Sequence, residues 1–327
     1  MILVTGGAGF IGQRLIARLS EEGASIRTLL RPSNETPRLP RGVSVQAAIS
    51  SLTDTRGLRA ALVGVDTVFH LAAVGWNDPA ADFRTTESDG TRSLLDAAED
   101  AGVKRFIFLS HLDADRAAAY PMLKAKGIAE EFIRQSRMDY TILRSSLVFG
   151  PGDHFTSGLA RLIAFFPRVF PLPADGETVL QPLWVEDLVT CLSWCLQDQS
   201  TAGQTYELGG PEHLTLRQIT EIVLQKTGQP RQLVPMRPSH LRVLLRLAHV
   251  LWPQMPASSY WLDYLAADRI TSFDTIPRVF HLLPARFSQK NAYLAGVDWK
   301  AELKKEMEAL RLRMLLPNSS DSEVAAD

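Results

Sequence analysis

Residues 1–12 read Met-Ile-Leu-Val-Thr-Gly-Gly-Ala-Gly-Phe-Ile-Gly, an apolar run followed by four glycines in seven residues. Ile2–Thr5 predicts a strand. Beyond the glycines Ile11, Leu15, Ile16 and Leu19 recur at helical spacing, while Arg14, Arg18, Glu21 and Glu22 take the opposite face. Gly7-Ala8-Gly9-Phe10-Ile11-Gly12 fits G-x-G-x-x-G, and Thr5-Gly6 with Gly9 and Gly12 fits T-G-x-x-G-x-x-G. Bare backbone between a strand and a helix lets a pyrophosphate reach the free N–H groups at the positive end of the helix dipole. The stretch therefore predicts a dinucleotide site contacted by Thr5, Gly6, Gly7, Gly9, Phe10, Ile11 and Gly12.

The surrounding pattern supports that setting. Strands are expected at 2–5, 25–30, 43–47, 67–71, 105–109 and 140–143, with helices near 90–101 and 121–136 between them. Strand and helix laid down in turn predict an α/β fold, a doubly wound parallel (Rossmann) sheet. After Gly150 the alternation breaks at prolines 151, 167, 171, 173 and 182. A dinucleotide-binding domain over 1–230 is expected, then a smaller, mostly helical substrate or lid lobe over 231–317, and a polar tail at 318–327.

With 35 basic and 36 acidic residues the net charge is −1, which argues against nucleic acid as a partner. Cys191 and Cys195 lie four apart in a helical pattern and read as core residues, so neither a disulfide nor a metal site is expected. No signal sequence or spanning run is read from the chain, and a cytoplasmic location is the expectation. The second strand ends in Arg31 rather than an acid. An arginine there suits the 2′-phosphate of NADP, the preferred cofactor, with NAD as the alternative.

The blocks "TGGAGFIG", "VDTVFHLAA" (65–73), "GTRSLLDAAEDAGVKRFIFLS" (90–110), "ILRSSLVFGPGDHF" (142–155), "QPLWVEDLV" (181–189) and "YELGGPEHLT" (206–215) resemble the extended and atypical short-chain dehydrogenase/reductases over roughly residues 1–230. The later blocks look most like the NAD(P)-binding proteins related to the Rossmann-fold accessory subunit of respiratory complex I. The resemblance implies an NADP-dependent oxidoreductase or epimerase acting on a small carbonyl or alcohol substrate. A non-catalytic nucleotide-binding protein acting through a partner is the alternative.

By the same resemblance Tyr120 is the acid/base and Lys124, four residues on, tunes it and binds the cofactor. The ammonium would favour phenolate over phenol. Either Ser110 or His111 fills the family's serine role. Leu71, Ala72, Ala73, Ser145, Leu147 and Val148 are implied to line the cofactor, and His111, His154, Gln181 and Trp184 to face the substrate. Glu87 stands where the family has Asn, Ser51 where it has an acid near the adenine, and His70 is expected to be structural.

In "HLRVLLRLAHVLW" (240–252), Arg242, Arg246 and His249 share one face and apolar residues fill much of the rest. A helix buried in the lobe with one wet edge is the first reading. A face for a membrane surface or protein partner is the second, and as a lid the helix would favour apolar substrates. Oligomeric state is not legible.

Overall fold

The computed structural model describes residues 1–33, 36–74, 82–252, 255 and 257–315. Its elements begin with β1 (Ile2–Thr5), α1 (Phe10–Glu21), β2 (Ile26–Leu30), β3 (Val45–Ile49), α2 (Thr55–Ala61) and β4 (Thr67–His70). A π-helical turn at Arg84–Asp89 leads into α3 (Gly90–Asp100), followed by β5 (Arg105–His111), α4 (Pro121–Gln135) and β6 (Asp139–Ser145). Then come β7 (Val148–Phe149), α5 (Thr156–Phe165), β8 (Val169–Pro173), β9 (Val179–Leu180), β10 (Leu183–Trp184) and α6 (Val185–Gln197). The chain continues through β11 (Gln204–Leu208), β12 (Leu214–Thr215), α7 (Leu216–Thr227), β13 (Gln232–Met236) and α8 (Pro238–Leu251). It closes with α9 (Ser259–Tyr264), α10 (Thr275–Phe280), α11 (Phe287–Lys290) and α12 (Trp299–Leu315).

A seven-stranded sheet runs in the order β3-β2-β1-β4-β5-β6-β11, and every neighbouring pair is parallel. Because strand side chains alternate, each strand feeds two cores. Ile2, Val4, Phe69, Ile107 and Leu143 pack against α1 and α6 on one face. Leu3, Val68, Phe106, Phe108 and Ile142 pack against α2, α3 and α4 on the other. The doubly wound parallel sheet is thus present. Cys191 and Cys195 are core residues, as read, both buried in the first core, and burial pushes the Cys195 thiol up to about 12.

The division of the chain differs from a single boundary at 230. Phe149, Phe155, Ile163, Phe170, Ile219 and Val223 share one apolar cluster with Trp252, Trp261, Tyr264, Phe287 and Trp299. Strand β13 completes its parallel pairing with β8. The second cluster therefore draws on chain from Phe149 onward, while α6 and β11 between its parts belong to the first body. Helix α10 returns to the first body, where Ile276 and Phe280 join the α1–α6 core. A run of apolar residues does not announce which of two cores it will enter, so this excursion was invisible in the periodicity. The tail expected at 318–327 lies outside the described residues.

Candidate functional site

The carboxyl ends of β1, β2, β4, β5 and β6 open into a cleft of about 860 Å³, where open parallel sheets bind their ligands. Its nucleotide end is the opening glycine turn. Gly6 adopts φ +72°, a left-handed conformation that favours glycine, directly against Leu71 and Ala72. A Cβ on Gly12 would lie 2.1 Å from the Gly6 carbonyl oxygen, so any side chain there would fill the cradle. Helix α1 starts at this point with Gly9 as a cap that offers no side-chain bond and with no acid in its first turn. Its first N–H groups and positive end are left for an anion. Thr5, Gly6, Gly9, Phe10, Ile11 and Gly12 all line the cleft, and the residues present fit a dinucleotide. Gly7 is the exception. A Cβ there would meet Thr28 and Ile16, so its bareness serves the packing of α1 on β2 rather than ligand contact.

Arg31 lines the same end, joined by Arg38, Ser33 and the hydroxyl-bearing stretch Ser50, Ser51 and Thr53. Leu71, Ala72, Ala73, Ser145, Leu147 and Val148 line it too, where the resemblance put them. At the end of β4, His70 is fully enclosed between the hydroxyls of Thr5 (2.7 Å) and Thr91 (2.8 Å), and its ring stacks on Phe108. Since Thr91 donates to the Glu87 carbonyl, Thr91 accepts from His70 Nε2–H, and His70 Nδ1 accepts from Thr5. Thr5 in turn accepts the Ala72 N–H, so a neutral histidine holds the backbone that walls the cleft. The structural reading of His70 fits this geometry.

The expected acid/base pair is not brought into the cleft. Tyr120 caps α4, with Pro121 at the first turn, and Lys124 is exposed on the outer face of the helix. Neither lines the cavity. The lysine that reaches it is Lys126, 2% exposed, 2.7 Å from Glu87 Oε2 and donating to the Leu109 carbonyl at 3.2 Å. Glu87 is itself buried and accepts the Val74 N–H at 2.7 Å. The residue four before Lys126 is Met122, which packs against the second lobe's core, so no phenol stands one helical turn behind this lysine. The physical reason is the wheel of α4: Leu123, Lys126, Gly127, Glu130 and Ile133 lie on its buried face, and Lys124 points away. A lysine and a glutamate inside an apolar series were the available signal, and the local Tyr-x-x-x-Lys spacing hid it.

Strand alternation decides between the serine and the histidine. Strand β5 runs two residues further than expected, so Leu109 and His111 face the cleft while Ser110 faces α4 and donates to Glu130 at 2.6 Å. Ser110 is therefore a structural hydroxyl. His154 also lines the cleft. Gln181 and Trp184 do not. Gln181 is buried, donating to the Gly210 carbonyl and accepting the Thr271 N–H, and Trp184 packs on Phe149 and Tyr293. Three residues from the second lobe were missed: Phe155, and Trp261 and Tyr264 of α9, all of which line the cleft. Nothing in the local sequence ties α9 to β5, because the approach is made only by the packing of the lobes.

Burial holds His70 down to about 3, and burial with the Lys126 and Arg269 cations does the same to His111. Both stay neutral at pH 7 while an unfolded histidine titrates near 6.5. The unfolded chain therefore takes up protons first as pH falls, so stability rises with pH across this window. Between pH 7 and 5 the fully enclosed His70 alone is expected to cost about 2 kcal/mol, with His111 adding in the same direction. Urea midpoints at the two pH values test this, and an unchanged midpoint would refute it.

The comparisons agree with this geometry. A family model described as NAD(P)H-binding matches residues 6–150. Over most of its length the chain shares the fold of solved epimerases and dehydratases. Its homologues include the mitochondrial NADH dehydrogenase (ubiquinone) 1 alpha subcomplex subunit 9 of Arabidopsis thaliana, 27% identical over 67% of this chain and 56% of that one. The chain thus spans little more than half of that relative's length. The 3-beta-hydroxysteroid dehydrogenase of Mycolicibacterium neoaurum is 27% identical over 76% of this chain and 74% of its own. Among solved structures, the epimerase Mth375 of Methanothermobacter thermautotrophicus superposes with a TM-score of 0.73 at 20% identity, covering 94% of each chain. No described helix is long and apolar enough to cross a membrane.

Proposed function

We propose that the protein is an NADP-dependent oxidoreductase acting on an apolar carbonyl or alcohol compound. The observation that carries the cofactor choice is the end of β2. Arg31 and Arg38 line the cleft, and neither acid nor amide is found among its described lining residues there. Two guanidinium forks suit a 2′-phosphate, whereas a ribose diol calls for a carboxylate.

Bound nicotinamide supplies a hydride donor or acceptor. The chain supplies the polar groups at the reacting end. Lys126 is placed to bind a ribose hydroxyl. Neutral His111 and the Tyr264 phenol, whose proton burial retains, line this end and would donate to a substrate oxygen. Beside Ser145 and His154 the walls include Val74, Leu109, Leu147, Phe155 and Trp261, an apolar share that favours an apolar ligand. The relative named for a hydroxysteroid is consistent with that class.

Arg31→Ala is expected to weaken NADPH binding about tenfold or more while leaving NADH nearly unchanged, because one charge-assisted contact is worth roughly 1.5–3 kcal/mol. Fluorescence titration with both nucleotides tests it. Equal affinities in the parent protein would sink the NADP reading. Turnover of hydrophobic ketones that falls with His111→Ala and survives Tyr120→Phe would support the chemistry.

One observation favours a second reading, nucleotide binding without turnover: Lys126 is committed to Glu87 and no tyrosine stands behind it. In that case no carbonyl or alcohol compound would consume the cofactor. Nucleotide would then stabilise the fold for a protein partner, as the resemblance to a respiratory subunit allows.

A further inference from the structure

Helix α8 is apolar on both sides. Leu241 is buried, and Leu245 and Ala248 pack on the core of the second lobe. The opposite stripe, at i, i+4 and i+7, consists of Val243, Leu247 and Val250, which are 55%, 63% and 77% exposed, with Leu244 at its edge. The first reading of this segment, a helix buried in the lobe with one wet edge, holds for the inner face only, since the exposed face also carries an apolar stripe. A helix with apolar residues on two opposite faces is ordinarily covered on both.

The rim has a consistent sign. Pro238–Leu251 contains no acidic residue. Arg246 is exposed beside the stripe, Arg237 is exposed at the N-cap, and Arg242 reaches Asp263 at 2.7 Å from the inner edge. At the far end Phe165, half exposed, meets the Trp252 ring and is followed by the exposed Arg168 and Val169. An apolar stripe bordered by arginines, whose stems can lie along apolar surface with their heads in the phosphate layer, has the composition of a helix lying in a bilayer interface. The rim cations complement an anionic headgroup layer.

We propose that the outer face of α8 seats on an anionic lipid surface. The geometry also gives this a use: α8 is tied to α9 through Arg242 and Asp263, and α9 carries Trp261 and Tyr264 into the cleft. Docking thus brings the lobe that walls the substrate end to the bilayer. That last connection rests on the apolar-substrate reading above, whereas the docking itself does not.

The test is co-sedimentation of the full chain with vesicles of phosphatidylcholine alone and of phosphatidylcholine mixed with phosphatidylserine, with NADPH titration of each variant as the control for folding. Binding is expected to the mixed vesicles, weakening with salt. It should fall at least tenfold in Val243→Glu/Leu247→Glu and about fivefold in Arg246→Ala, while NADPH affinity is unchanged. Equal binding to both vesicle types, or binding unaffected by the double variant, would overturn the proposal. So would a parent protein that ignores vesicles but forms a dimer dissolved by the same double variant, which would make the face a contact between copies.

Discussion

Lys126→Met is expected to lower stability by about 3–5 kcal/mol, the usual result of stranding one member of a buried ion pair, whereas Lys124→Met should stay within about 0.5 kcal/mol. The contrast follows from burial. Lys126 and Glu87 are 2% and 1% exposed and 2.7 Å apart, so removing the ammonium, which also lies over the Phe108 ring, leaves an enclosed carboxylate without its partner. Lys124 stands in water. Glu87→Gln combined with Lys126→Met should recover much of the loss, since neither charge is then left alone and the amide oxygen can still accept the Val74 N–H. Urea unfolding of the single and double variants measures the coupling. A Lys126→Met protein as stable as the parent would mean that the pair does not form. The same variant should weaken nucleotide binding, and Lys124→Met should not.

Gly12→Ala is expected to weaken NADPH binding up to about 100-fold, roughly 3 kcal/mol. The new Cβ would stand 2.1 Å from the Gly6 oxygen, so α1 must slide or the turn must open. Strain from such overpacking runs to about 1–3 kcal/mol, and the N–H groups of the first helical turn lose their aim at the same time. Gly7→Ala separates packing from binding, because its Cβ would press on Thr28 and Ile16 rather than on the cradle. Thermal shifts with and without NADPH distinguish the two. Gly12→Ala should lose the ligand-dependent part of the shift, and an undiminished shift would show that the cradle tolerates a methyl group.

Much of the nucleotide half is legible in the sequence. A strand, a glycine turn and an amphipathic helix are contiguous in the chain, and Leu71, Ala72 and Ala73 follow directly from the strand paired to β1. The chemistry was less legible, for reasons that can be named. Tyr120 and Lys124 satisfied a spacing rule, yet the face of α4 that meets the sheet is set by Leu123, Glu130 and Ile133, and it carries Lys126 instead. Ser110 and His111 were interchangeable until β5 proved to extend through both. Trp261 and Tyr264 lie about 150 residues from His111 in the chain, and no local pattern encodes a contact made across two lobes.

The sequence by itself determined the doubly wound sheet, the glycine cradle and the basic end of β2, because each is written in neighbouring residues through hydrophobic period, backbone freedom and charge. Only the tertiary structure decided which lysine enters the cleft, which of two adjacent residues faces it, and which stretches after β7 join the second apolar cluster. Those outcomes depend on the phase of a helix or strand against a partner far away in the chain, and phase is set by packing rather than by spacing.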